Sequence, residues 1–88
     1  QTLVIYMGLV SLEKIQNRLL EAGREGATRA VLIENATLPE QREIYAPLAE
    51  LHQAVITAEV SGPSIIIVGE VVGVPKQVEN LLQAQADQ

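Results

Sequence analysis

The sequence predicts an α/β domain in which helices flank a mixed parallel and antiparallel sheet. Three short aliphatic runs, LVIYM, AVLI and SIIIV, have the length and β-branched content of strands. Two segments between them carry apolar residues at helical spacing. The resulting order, β-α-β-β-α-β, packs helices onto a sheet.

Leu3 to Met7 reads as a strand buried on both faces. Gly8 frees the turn that follows, and Ser11 suits the N-cap of the first helix. Leu12, Ile15, Leu19 and Ala22 line one stripe of that helix, with Glu13, Lys14, Gln16, Asn17 and Arg18 around the remainder. Gly23 is placed to stop it. GREGATR is a polar turn, and Ala30 to Ile33 is the second strand, with a polar exit at Glu34-Asn35. TLPEQR is a loop. REIYAPL runs back from it as a partly exposed strand, antiparallel because the connection is short, with Ile44 and Tyr45 on opposite faces. Pro47 suits the first turn of the second helix, whose stripe is Leu48, Leu51, Val55 and Ala58 and whose end is Gly62. Ser64 to Val68 is the last fully apolar strand, broken at Gly69, with Val71-Val72 as a further strand or an extended exit. Val78, Leu81 and Leu82 mark a terminal helix and tail over 76–88, fraying at QAQADQ.

With 88 residues the chain makes one domain, spanning 1–88. It opens on Gln1-Thr2 and enters a strand at once, which reads as a piece of a longer protein. The hydrophobic fraction of 48% includes only Tyr6 and Tyr45 as aromatics, so the core is aliphatic and no base-stacking platform exists. Six Lys and Arg against eleven Asp and Glu leave a net charge of −5, and the basic residues are dispersed. Neither nucleic acid nor an anionic membrane is expected as a partner. There is no cysteine and a single histidine, which removes disulfide and thiolate chemistry and leaves no histidine-based metal centre. No apolar run is long enough to span a membrane and no signal peptide is visible, so a cytoplasmic location is expected.

The loops after the strands are the candidate site. Tyr6-Met7-Gly8, Glu34-Asn35-Ala36-Thr37 and Gly69-Glu70 each follow an apolar strand. By analogy with open α/β sheets, where ligands lie beyond the strand ends, they are expected to gather at one edge. There Met7 would lie along an adenine, and small residues at Ala36 and Gly69 would admit backbone to close approach. Glu34 and Glu70 would form an acid/base pair if adjacent, but read better as solvated loop carboxylates. His52 reads as an exposed helix histidine, and Tyr6 and Tyr45 as packing residues with one polar edge. Ser11 with Gly8 reads as a simple cap. GEVVG lacks the GxGxxG spacing of a dinucleotide site. No catalytic set is present, as befits half of a site.

TLVIYMG, the helix, VLIENATLPEQR and PSIIIVGEVVGV, taken in that order, resemble the C-terminal lobe of the uroporphyrinogen-III C-methyltransferases, members of the tetrapyrrole methylase family. The likeness covers about residues 2 to 75. It implies two lobes enclosing S-adenosylmethionine, with this one closing over the nucleoside and a missing N-terminal lobe carrying the glycine-rich loops. It implies methylation of uroporphyrinogen III to precorrin-2, towards sirohaem and cobalamin, by a homodimer that stands alone or ends a multifunctional sirohaem synthase. Met7 and Ala36 match family positions that contact the cofactor, Gly69 is expected to approach the adenine in the same way, Tyr6 is expected to help shape the cleft, and no metal is called for. Alanine at 36 replaces the glycine of some relatives, tolerable unless the backbone there needs φ > 0. The fragment alone is expected to be inactive. A sister precorrin or diphthine-synthase-like methylase and a non-enzymatic binding or dimerisation module stay open as alternatives.

Overall fold

The computed structural model describes residues 2–7, 12–73 and 75–86. The strands are β1 (Leu3–Met7), β2 (Arg29–Glu34), β3 (Arg42–Pro47) and β4 (Ser64–Val68), and the helices are α1 (Leu12–Glu21), α2 (Leu51–Thr57) and α3 (Pro75–Ala86). The sheet order is β1-β4-β2-β3. Every ladder in it is antiparallel, not mixed as the sequence predicts. The reason is that each helical crossover skips a strand. β1 and β2 point the same way, but β4 inserts between them. β3 and β4 also agree in direction, and β2 separates them.

Strand alternation sorts the apolar residues onto two faces. On one, Ala30, Leu32, Ile66 and Val68 pack with Leu12 of α1 and with Leu48, Leu51 and Val55 around α2. On the other, Val31, Ile33, Ile65 and Ile67 are covered by Val72, Val78 and Leu82. The central strands β2 and β4 are therefore apolar on both sides from Ala30 to Ile33 and from Ile65 to Val68, and buried throughout except at Arg29. Each Val, Leu or Ile side chain among them contributes about 1.5–3 kcal/mol of burial. β1 is instead an edge strand whose Leu3, Val4 and Ile5 are half-buried, because it pairs only with β4.

Helix ends follow local chemistry. Gly23 stops α1 as expected, with φ 101. Its N–H donates to Leu20 O and that of Arg24 to Leu19 O, the paired bonds of a Schellman motif. α2 ends earlier than Gly62, at Thr57, and Glu59 just beyond it takes the left-handed position at φ 55. The Glu59 N–H reaches Ile56 O and the Val60 N–H reaches Val55 O. Pro47 closes β3 and caps a 3₁₀ turn at Leu48–Glu50, so it precedes α2 without entering it. Residues Glu70–Gly73 form a second 3₁₀ turn where a strand or extended exit was expected. α3 continues as helix through Ala86, so most of the segment expected to fray is ordered. Gly8 and Ser11 lie outside the described residues.

Candidate functional site

The register decides which strand ends meet. Met7 and Glu34 both pair with Ser64, from opposite sides of β4. The ends of β1 and β2 are thus neighbours across one strand. β4 runs the other way, so its end, Gly69, lies beside Arg29 and accordingly donates its N–H to Arg29 O at 2.9 Å. Gly69 stands about 16 Å along the sheet from Ser64. The three loops therefore do not gather at one edge, because an antiparallel β4 carries its exit to the far end. Gly69 is buried with φ 140, and its glycine serves the turn into the 3₁₀ segment. It borders an open cavity of about 600 Å³ shared with Arg24, Thr28, Arg29 and Glu70.

At the near end, Glu34 is the surprise. It is the last residue of β2, only 4% exposed, rather than a solvated loop carboxylate. One oxygen takes the Arg42 Nε–H at 2.7 Å, and the other takes the backbone N–H groups of Ser61 and Gly62, each at 2.8 Å. These donors, the guanidinium first, outweigh the cost of burial and lower its pKa to about 2. Arg42 also donates to Ala58 O at 3.0 Å, so the pair ties β2 and β3 to the end of α2. Glu70 is exposed at the opposite end of the sheet, so the two carboxylates form no acid/base pair.

The turn that leaves Glu34 is unusual. Asn35 has φ 53 and Thr37 has φ 69, both left-handed without being glycine. Asn35 N–H is held by Pro63 O at 2.9 Å, and Thr37 N–H by the Gln41 side-chain oxygen at 2.7 Å. Ala36 lies between them with no positive φ, so alanine is tolerated there. It packs against the Val31, Ile33 and Ile65 cluster, which anchors the turn from beneath. Tyr6 is 59% exposed one residue before Met7, and Tyr45 is 49% exposed with its hydroxyl on the Glu43 carboxylate at 2.8 Å. Neither belongs to the buried core.

No family model matches the chain. Relatives do. It is 38% identical over 85 residues to the uroporphyrinogen-III C-methyltransferase of Pseudomonas fluorescens, covering 97% of this chain and 34% of that protein. It is 54% identical over 72 residues to the siroheme synthase of Azotobacter vinelandii, covering 82% of this chain and 16% of that protein. Among solved structures, the uroporphyrin-III C-methyltransferase of Thermus thermophilus complexed with S-adenosyl homocysteine superposes with a TM-score of 0.72 at 36% identity, over 83% of this chain and 32% of that one. The chain is homologous to one segment of the uroporphyrinogen-III C-methyltransferases. It spans only 16–34% of the length of these two sequence relatives. A cobalt precorrin-4 methyltransferase shares the fold, with a TM-score of 0.74 at 20% identity.

The structure brings Met7 and the Ala36 turn to one end of the sheet, sets Tyr6 beside them and leaves Gly69 at the other. Among the described residues no group of His, Cys, Asp or Glu is arranged to hold a metal ion, and no helix is long and apolar enough to cross a membrane. Sequence reasoning missed two polar residues. Glu34 could have been found from the apolar run that enters it without a break and from Arg42 eight residues on. Gln16 gives no such signal. It sits in the polar part of the α1 pattern, yet is buried, donating to Ala49 O at 3.0 Å and accepting the His52 N–H at 2.8 Å. His52 itself is half-buried, its ring 3.8 Å from the Glu13 carboxylate.

Proposed function

We propose that this chain is the C-terminal lobe of an S-adenosylmethionine-dependent methyltransferase that converts uroporphyrinogen III to precorrin-2. The observation that carries the reading is the 38% identity across 97% of the chain to an enzyme named for that substrate. A homologue crystallised with S-adenosyl homocysteine supports the cosubstrate. The geometry fits: a turn built around a small residue leaves β2 at the same end of the sheet as the end of β1, one strand away, so backbone can approach a flat nucleoside closely.

S-adenosylmethionine, when bound, supplies a methyl group made electrophilic by the sulfonium. This lobe's share is then to bind and orient. The proposal gives that task to Met7 and Ala36, with Tyr6 flanking the cleft, and gives Gly69 the turn it makes. Closing the lobe excludes water, and alignment alone can supply much of the rate. The missing N-terminal lobe of the same chain provides the opposite wall. The same resemblance carries the proposals that the parent is a cytoplasmic homodimer, that it needs no metal, and that it serves sirohaem or cobalamin synthesis. The −5 net charge and dispersed basic residues support a role without nucleic acid or membrane partners.

The test is to incubate the full-length parent with S-adenosylmethionine and uroporphyrinogen III and follow product mass. Two successive methyl additions are expected, weakened when Met7 is replaced by glutamate. A folded parent that binds the cosubstrate yet leaves uroporphyrinogen III unmethylated would remove this substrate and turn attention to the sister methylases.

A further inference from the structure

We infer that Glu34 is a positioning residue for the cofactor turn: its buried carboxylate locks the Asn35–Thr37 turn against the loop between α2 and β4 and so sets where the Ala36 backbone stands. This rests on the proposed role of Ala36 at the cofactor.

A strand end does not need a buried, fully engaged carboxylate. Glu34 uses both oxygens on three donors from two other segments, Arg42 at the start of β3 and Ser61-Gly62 before β4. The next residue, Asn35, is then fixed a second time to that loop through Pro63 O. Gly62 presses against the Asn35 side chain so closely that a Cβ there would come within 2.5 Å of its Oδ1. Left-handed non-glycine residues persist only where the surroundings over-determine them: the Glu34 clamp, Pro63 O and Gly62 are those surroundings for Asn35, and the Gln41 side chain holds Thr37 at the far side of Ala36. Such strained turns cluster at ligand clamps. The carboxylate is charged at every working pH, since its donors hold it far below the ordinary carboxylate range.

The experiment uses the full-length parent and three variants, Glu34→Gln, Gly62→Ala and Glu70→Gln. S-adenosyl homocysteine binding is measured by titration calorimetry, and KM is measured separately for S-adenosylmethionine and for uroporphyrinogen III. Glu34→Gln should weaken S-adenosyl homocysteine by about tenfold or more, the scale of a small misplacement, while the tetrapyrrole KM stays within about twofold. Gly62→Ala forces apart the Asn35 side chain and the Gly62 backbone whose N–H Glu34 accepts, leaving the Arg42 partner in place, and should weaken the same ligand in the same selective way even if Glu34→Gln does not fold. Glu70→Gln, at the far end of the sheet, should change neither. Unaltered S-adenosyl homocysteine affinity in folded Glu34→Gln or Gly62→Ala would overturn the inference. So would a loss spread equally over both substrates in step with lost folded protein, the mark of a purely structural role. A wild-type parent that binds no S-adenosyl homocysteine would instead bring down the proposed function, and this inference with it.

Discussion

Replacing Gln16 by leucine keeps the size of the side chain and removes both of its hydrogen bonds. Gln16 lies between α1 and the start of α2, where it donates to Ala49 O and accepts the His52 N–H. His52 is in the first turn of α2, and first-turn N–H groups have no carbonyl of their own helix to bond. Leucine leaves that donor and the Ala49 carbonyl without this partner. Each neutral bond lost in a part-buried site costs about 1 kcal/mol, so the pair sums to about 2 kcal/mol. For a domain of this size that lowers Tm by about 8–16 °C. Thermal unfolding of the 88-residue chain, followed by far-UV circular dichroism, reads the shift directly. Glu at the same position is the internal control: it still accepts from His52 but opposes the Ala49 carbonyl, and should recover stability on acidification as it gains a proton. A Gln16→Leu chain melting within about 2 °C of the wild type would refute the reasoning, and would mean that solvent satisfies both groups.

Acid should reveal the Glu34 clamp. Its folded pKa of about 2 lies below the ordinary 4.5, so its stabilisation is complete above about pH 4.5 and lost as pH falls towards 2. Wild type should lose Tm across that window more steeply than Glu34→Gln, and equal slopes would deny the clamp its role. Glu59→Gly relieves a left-handed residue at the end of α2 and should raise stability by about 0.5–1 kcal/mol in denaturant titration; a lower midpoint would contradict this. Leu32→Ala empties a fully buried site and should cost about 2–5 kcal/mol, while Leu38→Ala, 52% exposed, should stay within about 0.5 kcal/mol. On the proposed function, which gives the opposite wall of the cleft to another lobe, the 88-residue chain by itself should bind S-adenosyl homocysteine weakly or not at all; tight one-to-one binding by titration calorimetry would show that these residues suffice.

The strands, the two amphipathic helices, the aliphatic core and the stop at Gly23 are legible in the residues alone. These depend on contacts between near neighbours or on periodicity, which a chain displays without folding. The residues also carry the family resemblance, since TLVIYMG and ENATLPEQR are legible as strings. What meets what is set by long-range packing. Strand order made every ladder antiparallel and put Gly69 at the far end from Met7, because direction and adjacency come from how crossovers wrap and not from any one strand. Burial of Glu34 and Gln16 was hidden for the same reason. A polar side chain goes inside only when its partners arrive, and these come from residues 42, 61 and 62 in one case and 49 and 52 in the other. The left-handed backbone at Asn35, Thr37 and Glu59 likewise follows from the packing around those turns, since nothing in an isolated Thr or Glu favours it.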